Sequence, residues 1–341
     1  MVRSAPRGLS GPYGLGRDDL AALLHDEPPY RVGQVWDALH RRAAWPAEMT
    51  ELPRALRDRL AGPLSPALTP LERRDADGGG TVKWAFETAG GARIETVLMA
   101  YPDRVTVCVS TQAGCAMACP FCATGQGGFR RHLSSGEIVE QVAWAMRERP
   151  VTHVVCMGMG EPLANYDQTL GALGRLHDEM GISWRRLTVS TVGIVPGIRR
   201  LACEGVAVNL AVSLHAANDA LRDELVPINR RYPLAALADA CADYVARTGR
   251  RLSLEWAVIG GVNDRPGDAE ELAAFARPLG AHVNLIPLNA TEGYRAPGRP
   301  RAAAFGSRLR ALGINATVRR TRGTDIAAAC GQLAGERTPP G

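Results

Sequence analysis

Along the chain the spacing of apolar residues changes character three times. Residues 17 to 62 carry DDLAALL, VGQVWDALHRR and LPRALRDRLAG, with apolar positions at helical spacing and polar or proline breaks between them. A group of short helices is predicted there. The following GPLSPALTP (62–70) reads as a linker. Then TVKWAFETA and ARIETVLMA, joined by Gly-Gly, predict a β-hairpin. From about residue 105 short apolar runs alternate with helical stretches. The strand candidates are VTVCVS, HVVCMG, LTVSTV, NLAVSL, LSLEWAVI and HVNLIPL, and GEIVEQVAWAMRER and PLAALADACADYVARTG are typical of the helices between. Near-continuous apolar strands imply a parallel sheet covered by helices. Six such units are too few for a closed eight-fold barrel, which leaves a partial barrel or a doubly wound sheet. In either, function gathers at the C-terminal ends of the strands.

Length and composition narrow the class. A chain of 341 residues, 46% of them hydrophobic, builds a sizeable core in about two domains. No stretch approaches the roughly 18 to 20 apolar residues of a membrane span. The opening MVRSAPRGLSGPYGLG has no apolar region of the secretory kind, so a cytosolic protein is expected. The net charge of +5 is mild, yet Lys83 is the only lysine and every other basic side chain is arginine. From Gly293 to Thr324 there is no acid, and arginines stand at 295, 299, 301, 308, 310, 319, 320 and 322. Such a run serves as a solvated face or, through guanidinium forks that match phosphate, as a nucleic-acid contact.

Eight cysteines stand at 108, 115, 119, 122, 156, 203, 241 and 330. In a reducing compartment they are expected as thiols, metal ligands or catalysts. Cys156, Cys203 and Cys241 read as small buried hydrophobes. Cys115, Cys119 and Cys122, in GCAMACPFCATGQGGF, follow the first strand of the alternating series at C-x3-C-x2-C spacing. Three thiolates suit three irons of a four-iron, four-sulfur cluster and leave the fourth iron open. A zinc site would need a fourth ligand such as His132. Gly114, Gly125, Gly127 and Gly128 fit a loop wrapped closely round an inorganic object. Other strand ends are polar as well: GMGEP (158–162), Ser190, Ser213, His215 and Asn289. Singly each would pass for a strand cap, but together with the clip they indicate a ligand site.

The clip, placed after the first strand of a βα series, resembles the radical S-adenosylmethionine (SAM) superfamily. Together CVSTQAGCAMACPFCATGQGGFRR, GMGEPL, SLHA, LIPLN and RGTDIAAACGQL resemble the RlmN/Cfr family of RNA adenine methyltransferases over roughly residues 80 to 335. The resemblance implies a partial (β/α)6 barrel at 105–290 with an N-terminal helical, RNA-binding domain at 1–65. It further implies a linker and hairpin extension at 66–104 and an arginine-rich segment carrying a methyl-accepting cysteine at 291–341. One four-iron, four-sulfur cluster would sit on Cys115, Cys119 and Cys122. SAM, two molecules per turnover, would contact Phe121, Gly160, Glu161, Ser190, Ser213, Leu214, His215 and Asn289.

By the same resemblance, Cys330 accepts a methyl group from one SAM, and a 5′-deoxyadenosyl radical from a second SAM takes hydrogen from it. The methylene radical then adds to the adenine ring. Attack of Cys108 on the Cys330 sulfur releases the product and leaves a disulfide for a reductant to reset. Glu95 matches the family's proton acceptor, with Cys108 as the alternative. The implied substrates are 23S ribosomal RNA in the peptidyl-transferase region and tRNA at the adenosine 3′ of the anticodon. Methylation is expected at carbon 2, with carbon 8 as the alternative and a non-enzymatic iron–sulfur RNA-binding protein as a third reading. An electron donor such as flavodoxin or ferredoxin, no membrane and a monomeric state complete the expectations.

Overall fold

The computed structural model describes residues 11–289, 293–319, 323, 326–328 and 331–333. Three antiparallel strands come first: β1 (Leu68–Ala76), β2 (Thr81–Thr88) and β3 (Arg93–Ala100). A tight turn, closed by the Tyr101 amide on the Arg104 carbonyl at 2.7 Å, leads into β4 (Val105–Cys108), which pairs antiparallel with β3. A separate two-stranded piece, β5 (Gln112–Gly114) with β6 (Phe129–His132), follows. Then come β7 (His153–Cys156), β8 (Leu187–Thr191), β9 (Asn209–Ser213), β10 (Leu252–Val258), β11 (His282–Pro287) and β12 (Ala316–Val318). Each is parallel to its predecessor, starting from β4.

The main sheet therefore runs β1-β2-β3-β4-β7-β8-β9-β10-β11-β12, in unbroken sequence order. A doubly wound sheet reverses its winding at a switch point. Here no reversal occurs, so the crossovers keep one direction and one hand. The outcome is the expected α/β partial barrel of the radical SAM type, in which all the parallel strands end on one rim.

Two strands exceed the expectation. β12 adds a parallel strand beyond the six foreseen. β1 begins inside the segment read as a linker: Pro70 and the charged run Glu72–Asp75 disguise an edge strand whose side chains are exposed at every position but its ends. Its register slips between Pro70 and Glu72, where edge strands tolerate proline. One cysteine also departs from expectation. Cys203 is exposed, because it closes the helix Val195–Cys203 on the solvent side, whereas Cys156 and Cys241 are buried.

The helix Ser135–Met146 joins the layers. Its start is a capping box, with the Ser134 amide donating to Glu137 at 2.9 Å and the Glu137 amide donating to the Ser134 hydroxyl at 3.2 Å. Three of its polar side chains point inward and are almost fully buried. Glu140 accepts the Ala67 and Leu68 amides at 2.9 Å each and so anchors the start of β1. Gln141 accepts from the Thr96 hydroxyl and the Ser110 amide, both at 2.8 Å, and donates to the Ser110 carbonyl at 2.9 Å. Ser110 completes the set: its hydroxyl donates to the Glu95 carbonyl at 2.6 Å and accepts the Met159 amide at 2.9 Å.

The N-terminal helices pack onto the same core through Tyr13, Trp45, Trp144 and Phe86, whose rings meet in a chain. Arg147 clamps Glu48 with two bonds of 2.6 and 2.7 Å and also reaches the Ala43 carbonyl. His40 is wholly buried, and burial pushes its imidazole down to about 3.

Two outcomes are expected. Gln141→Leu strands the Ser110 amide, the Ser110 carbonyl and the Thr96 hydroxyl in the core, at about 1 to 3 kcal/mol each, and denaturant unfolding should show a loss of at least about 3 kcal/mol. Because His40 is depressed in the folded state, the unfolded chain takes up the proton first. Stability should be whole above about pH 6.5 and fall by up to about 1.4 kcal/mol per pH unit from this group as pH drops toward 3, read from melts across pH.

Candidate active site

At the C-terminal rim of the parallel strands lies a cleft. Cys115, Cys119 and Cys122 all line it, with Phe121, Gly160, Glu161, Ser190, Ser213 and His215. The sequence had placed these residues on four separate stretches, and the fold gathers them.

The clip is a loop closed at its neck. β5 and β6 pair at its two ends, and the Cys115 amide donates to the Gly128 carbonyl at 2.8 Å. Gly114 makes the closure possible: its φ is +72°, and a Cβ there would stand 1.9 Å from the Gly128 oxygen. Inside the loop the Cys122 amide bonds the Cys119 carbonyl at 3.1 Å. Burial pushes the Cys115 thiol up to about 12 and the Cys119 thiol higher still. Such thiols ionise when a cationic partner arrives. Among the described residues, no three His, Cys, Asp or Glu side chains converge tightly enough for a single metal ion. Three thiols that line one cleft without converging fit a cluster, in which each iron takes one thiolate. His132, the candidate fourth zinc ligand, is exposed on β6, where its Nδ1 lies 3.0 Å from the Gln112 amide group.

The GMGEP turn continues the β4–β7 ladder. The Gly158 amide bonds the Val109 carbonyl at 3.1 Å, and the Thr111 amide bonds the Met159 carbonyl at 2.8 Å. Gly160, at φ +99°, packs so closely on Gln112 that a Cβ would lie 2.5 Å from the Gln112 Cβ. Gln112 in turn accepts the Glu161 amide at 2.8 Å. The buried Glu161 carboxylate accepts the Leu163 amide at 3.0 Å and the Val192 amide at 2.9 Å, which ties the turn to the end of β8. Burial outweighs these donors and raises its carboxyl to about 7.

His215 follows β9 in a left-handed conformation, φ +60°, a strain that packed surroundings must sustain. Its Nδ1 accepts the Ala257 amide at 2.9 Å, so the ring proton sits on Nε2. Burial pushes it down to about 3. The Phe121 ring meets it edge-on at 4.9 Å. Two buried residues not singled out from sequence hold this corner. The Asn263 amide group donates to the His215 and Ala257 carbonyls at 2.7 and 2.8 Å and accepts the Ile259 amide at 2.7 Å. Arg222 spreads its guanidinium over the carbonyls of Leu214 (3.1 Å) and Val192 (2.7 Å) and over Asn229 (2.7 Å).

Four expected residues stand apart from the cleft wall. Leu214 is buried in the core and offers only backbone, already engaged with Arg222 and with the Glu255 carbonyl. Asn289 is half-buried beside the cleft-lining Leu288. Glu95 and Cys108 are buried on β3 and β4. Cys108 pairs with Val97, and Val97 with Lys83, so residues of all three strands share one face, with Glu95 two places along it. Cys330 lies outside the described residues. Its described neighbours bracket the region: Gly331 lines the cleft, and its carbonyl accepts the Ala123 amide at 2.9 Å.

Residues 109–276 match the radical SAM superfamily. The chain is 53% identical, over 98% of its length and 93% of the relative's, to a probable dual-specificity RNA methyltransferase RlmN from Parafrankia sp. (strain EAN1pec). It is 48% identical to the protein so named in Chloroflexus aurantiacus, over 96% of this chain and 93% of that one. A crystal structure of a radical SAM methyltransferase from Sphaerobacter thermophilus superimposes with a TM-score of 0.90 at 49% identity, covering 96% of this chain and 99% of that one. The chain belongs to the RlmN family.

As a member of the RlmN family it is a SAM-dependent RNA methyltransferase, and the radical SAM superfamily works with a four-iron, four-sulfur cluster. The arginine-rich stretch is less free for RNA than its composition suggested. Arg301 pairs with Asp264 at 2.9 Å and Arg308 with Glu270 at 2.5 Å, fastening the helix Arg299–Ala311 to the helix Pro266–Ala276 and to the loop just before it. Arg295 and Arg299 are exposed.

Nitrogen NMR on the histidine side chains checks the corner described above. His215 should show only the Nε2–H tautomer and no titration between pH 5 and 8; a resonance that titrates near 6.5 would contradict its burial.

Proposed function

We propose that this enzyme methylates carbon 2 of adenosine, in 23S ribosomal RNA at the peptidyl-transferase region and in tRNA at the adenosine 3′ of the anticodon. The observation that carries the reading is the meeting of the three clip thiols, the Gly160–Glu161 turn and Gly331, next to Cys330, on one cleft. Cys115, Cys119 and Cys122 hold the cluster. Gly160 and Glu161 receive the ammonium group of SAM, Ser190 and Ser213 its polar groups, Phe121 and His215 its adenine side, and Leu214 and Asn289 contribute at the margin. When bound, the cluster and a second SAM together supply the radical that activates the methyl group.

The protein's own residues do the rest. Cys330 displaces the methyl group from the first SAM, forming an S–CH3 bond as the sulfonium bond breaks. Glu95 accepts the ring proton after the carbon–carbon bond to adenine has formed. Cys108 then attacks the Cys330 sulfur; the S–S bond forms as the S–C bond to the product breaks, and the released carbon takes a proton from solvent to complete the methyl group. The unpaired electron left by radical addition passes to the electron-carrier partner, and an external dithiol resets the disulfide. The N-terminal helices (1–65) and the exposed Arg295 and Arg299 contact RNA phosphates. The hairpin region (66–104) carries the base, the barrel (105–290) the cofactors, and 291–341 the methyl carrier. A small electron carrier such as flavodoxin or ferredoxin supplies electrons to a monomeric enzyme in the cytosol, where thiols stay reduced.

Anaerobic turnover with SAM, a reductant, ribosomal RNA fragments and unmodified tRNA, followed by nucleoside mass spectrometry, tests this. 2-Methyladenosine in both RNAs is the expected result; 8-methyladenosine would move the activity to the other ring position. Cys108→Ala should accumulate a protein–RNA adduct, and Cys119→Ala should lose the cluster's absorbance and iron. Glu161→Gln, which removes a charged partner, should weaken SAM binding by about ten- to a hundredfold in equilibrium dialysis.

A further inference from the structure

The one lysine of this chain is buried. Lys83 on β2 is 7% exposed, as is Glu95 on β3. The Lys83 Nζ lies 3.0 Å from the Glu95 Oε2, and the same ammonium donates to the Ala327 carbonyl at 3.0 Å. Everywhere else the chain uses arginine for a positive charge. A surface position would accept either cation. A buried one is selective, because a compact ammonium aims separate donors at two acceptors where a planar fork needs more room.

The sheet dictates that Lys83 can reach both partners. Lys83 pairs with Val97, and Ala85 with Glu95, so Lys83 and Glu95 are diagonal neighbours on one face of the hairpin. Ala327 stands three residues before Cys330 in the sequence. The same stretch rests on the start of β2 at Gly323, where a Cβ would lie 3.0 Å from the Thr81 methyl. Beyond Cys330, the Leu333 carbonyl accepts the Thr124 hydroxyl at 2.5 Å, beside the clip. Removing one member of a buried ion pair leaves the other charge uncompensated, so such a pair persists where its geometry is needed.

We propose that Lys83 is a positioning residue for the methyl transfer: one ammonium holds the Glu95 carboxylate and, through Ala327, the segment that carries Cys330, so base and methyl carrier are set by the same cation. The inference rests on the reading of Glu95 as base and Cys330 as methyl carrier. Lys83 is not among the residues that line the cleft. Its ammonium holds the Glu95 carboxylate in place, and it docks the segment beside the hairpin.

The test compares Lys83→Met, Lys83→Arg and Glu95→Gln in the cluster-loaded enzyme, single turnover on a tRNA substrate. Methylation of Cys330 is read by protein mass spectrometry and decay of the protein–RNA adduct by gel across pH. Lys83→Met should lower Cys330 methylation severalfold, slow adduct decay on the order of tenfold, and move the acid limb of the decay profile upward by about one pH unit, as expected when a neighbouring cation is removed. Lys83→Arg should restore part of the rate and the original limb. Wild-type decay and limb in Lys83→Met, with Glu95→Gln stalled, would overturn the role of Lys83 alone. Wild-type decay in Glu95→Gln would instead overturn the base assignment on which it rests. Should Lys83→Met fail to fold, lysine-selective nitrogen NMR decides, since the chain gives one side-chain signal. A slowly exchanging ammonium resonance that is lost in Glu95→Gln supports the proposal; a fast-exchanging one indifferent to that change refutes it.

Discussion

Gln141 uses its whole hydrogen-bonding capacity inside the protein, and the register of the site follows from that. Its side chain reads both the amide and the carbonyl of Ser110, just past the end of β4, and the hydroxyl of Thr96 on β3. Ser110, so fixed, holds the backbone of Glu95 on one side and that of Met159, in the GMGEP turn, on the other. A buried polar group that is fully satisfied rigidifies its surroundings, whereas a half-satisfied one is costly. Sliding β3 by one residue would break the Thr96 and Glu95 bonds of the set and turn Glu95 to the opposite face. The hairpin, the first barrel strand and the cofactor turn are thus one mechanical unit, although they are separate in sequence.

Around the cleft the charges follow the same economy of partners. Arg222 is fully buried, yet burial lowers its guanidinium only to about 10, so it remains a cation. It serves the carbonyls at the ends of β8 and β9 and acts electrostatically on Cys119. Glu161, with its carboxyl near 7, accepts the amide of Val192, the residue whose carbonyl Arg222 takes. In a low-dielectric interior neither charge is screened by water. Cofactor charges entering this space therefore meet a fixed cation and a carboxylate that a positive ligand can hold ionised.

Much of this was legible in the residues. Short apolar runs alternating with helical stretches foretold the parallel sheet, and the clip spacing foretold where three thiols would meet. The choice between a partial barrel and a doubly wound sheet was not legible, because both share one strand pattern and differ only in the order of neighbours. β1 escaped notice because an edge strand with solvent on its sides carries a charged sequence. Ser110 and Gln141 escaped because their partners lie far along the chain, and Arg222 and Asn263 because a polar residue in a short helix or a loop carries no local sign that it will be buried. The arginine-rich helix was half misleading: Arg301 and Arg308 answer Asp264 and Glu270, just before and on a neighbouring helix, although the stretch itself has no acid.

The burial of Lys83 has a consequence for how this protein meets reactive chemistry. Amine-directed acylation, whether by a laboratory reagent or by a metabolic acyl donor, needs an uncharged and accessible nitrogen. Here the chain offers a single ε-amine, and the folded state withholds it behind an ion pair. The folded protein is therefore nearly silent to lysine modification, while the opened chain is not. The extent of acylation at that one position becomes an internal gauge of how often the hairpin parts from the rest of the molecule.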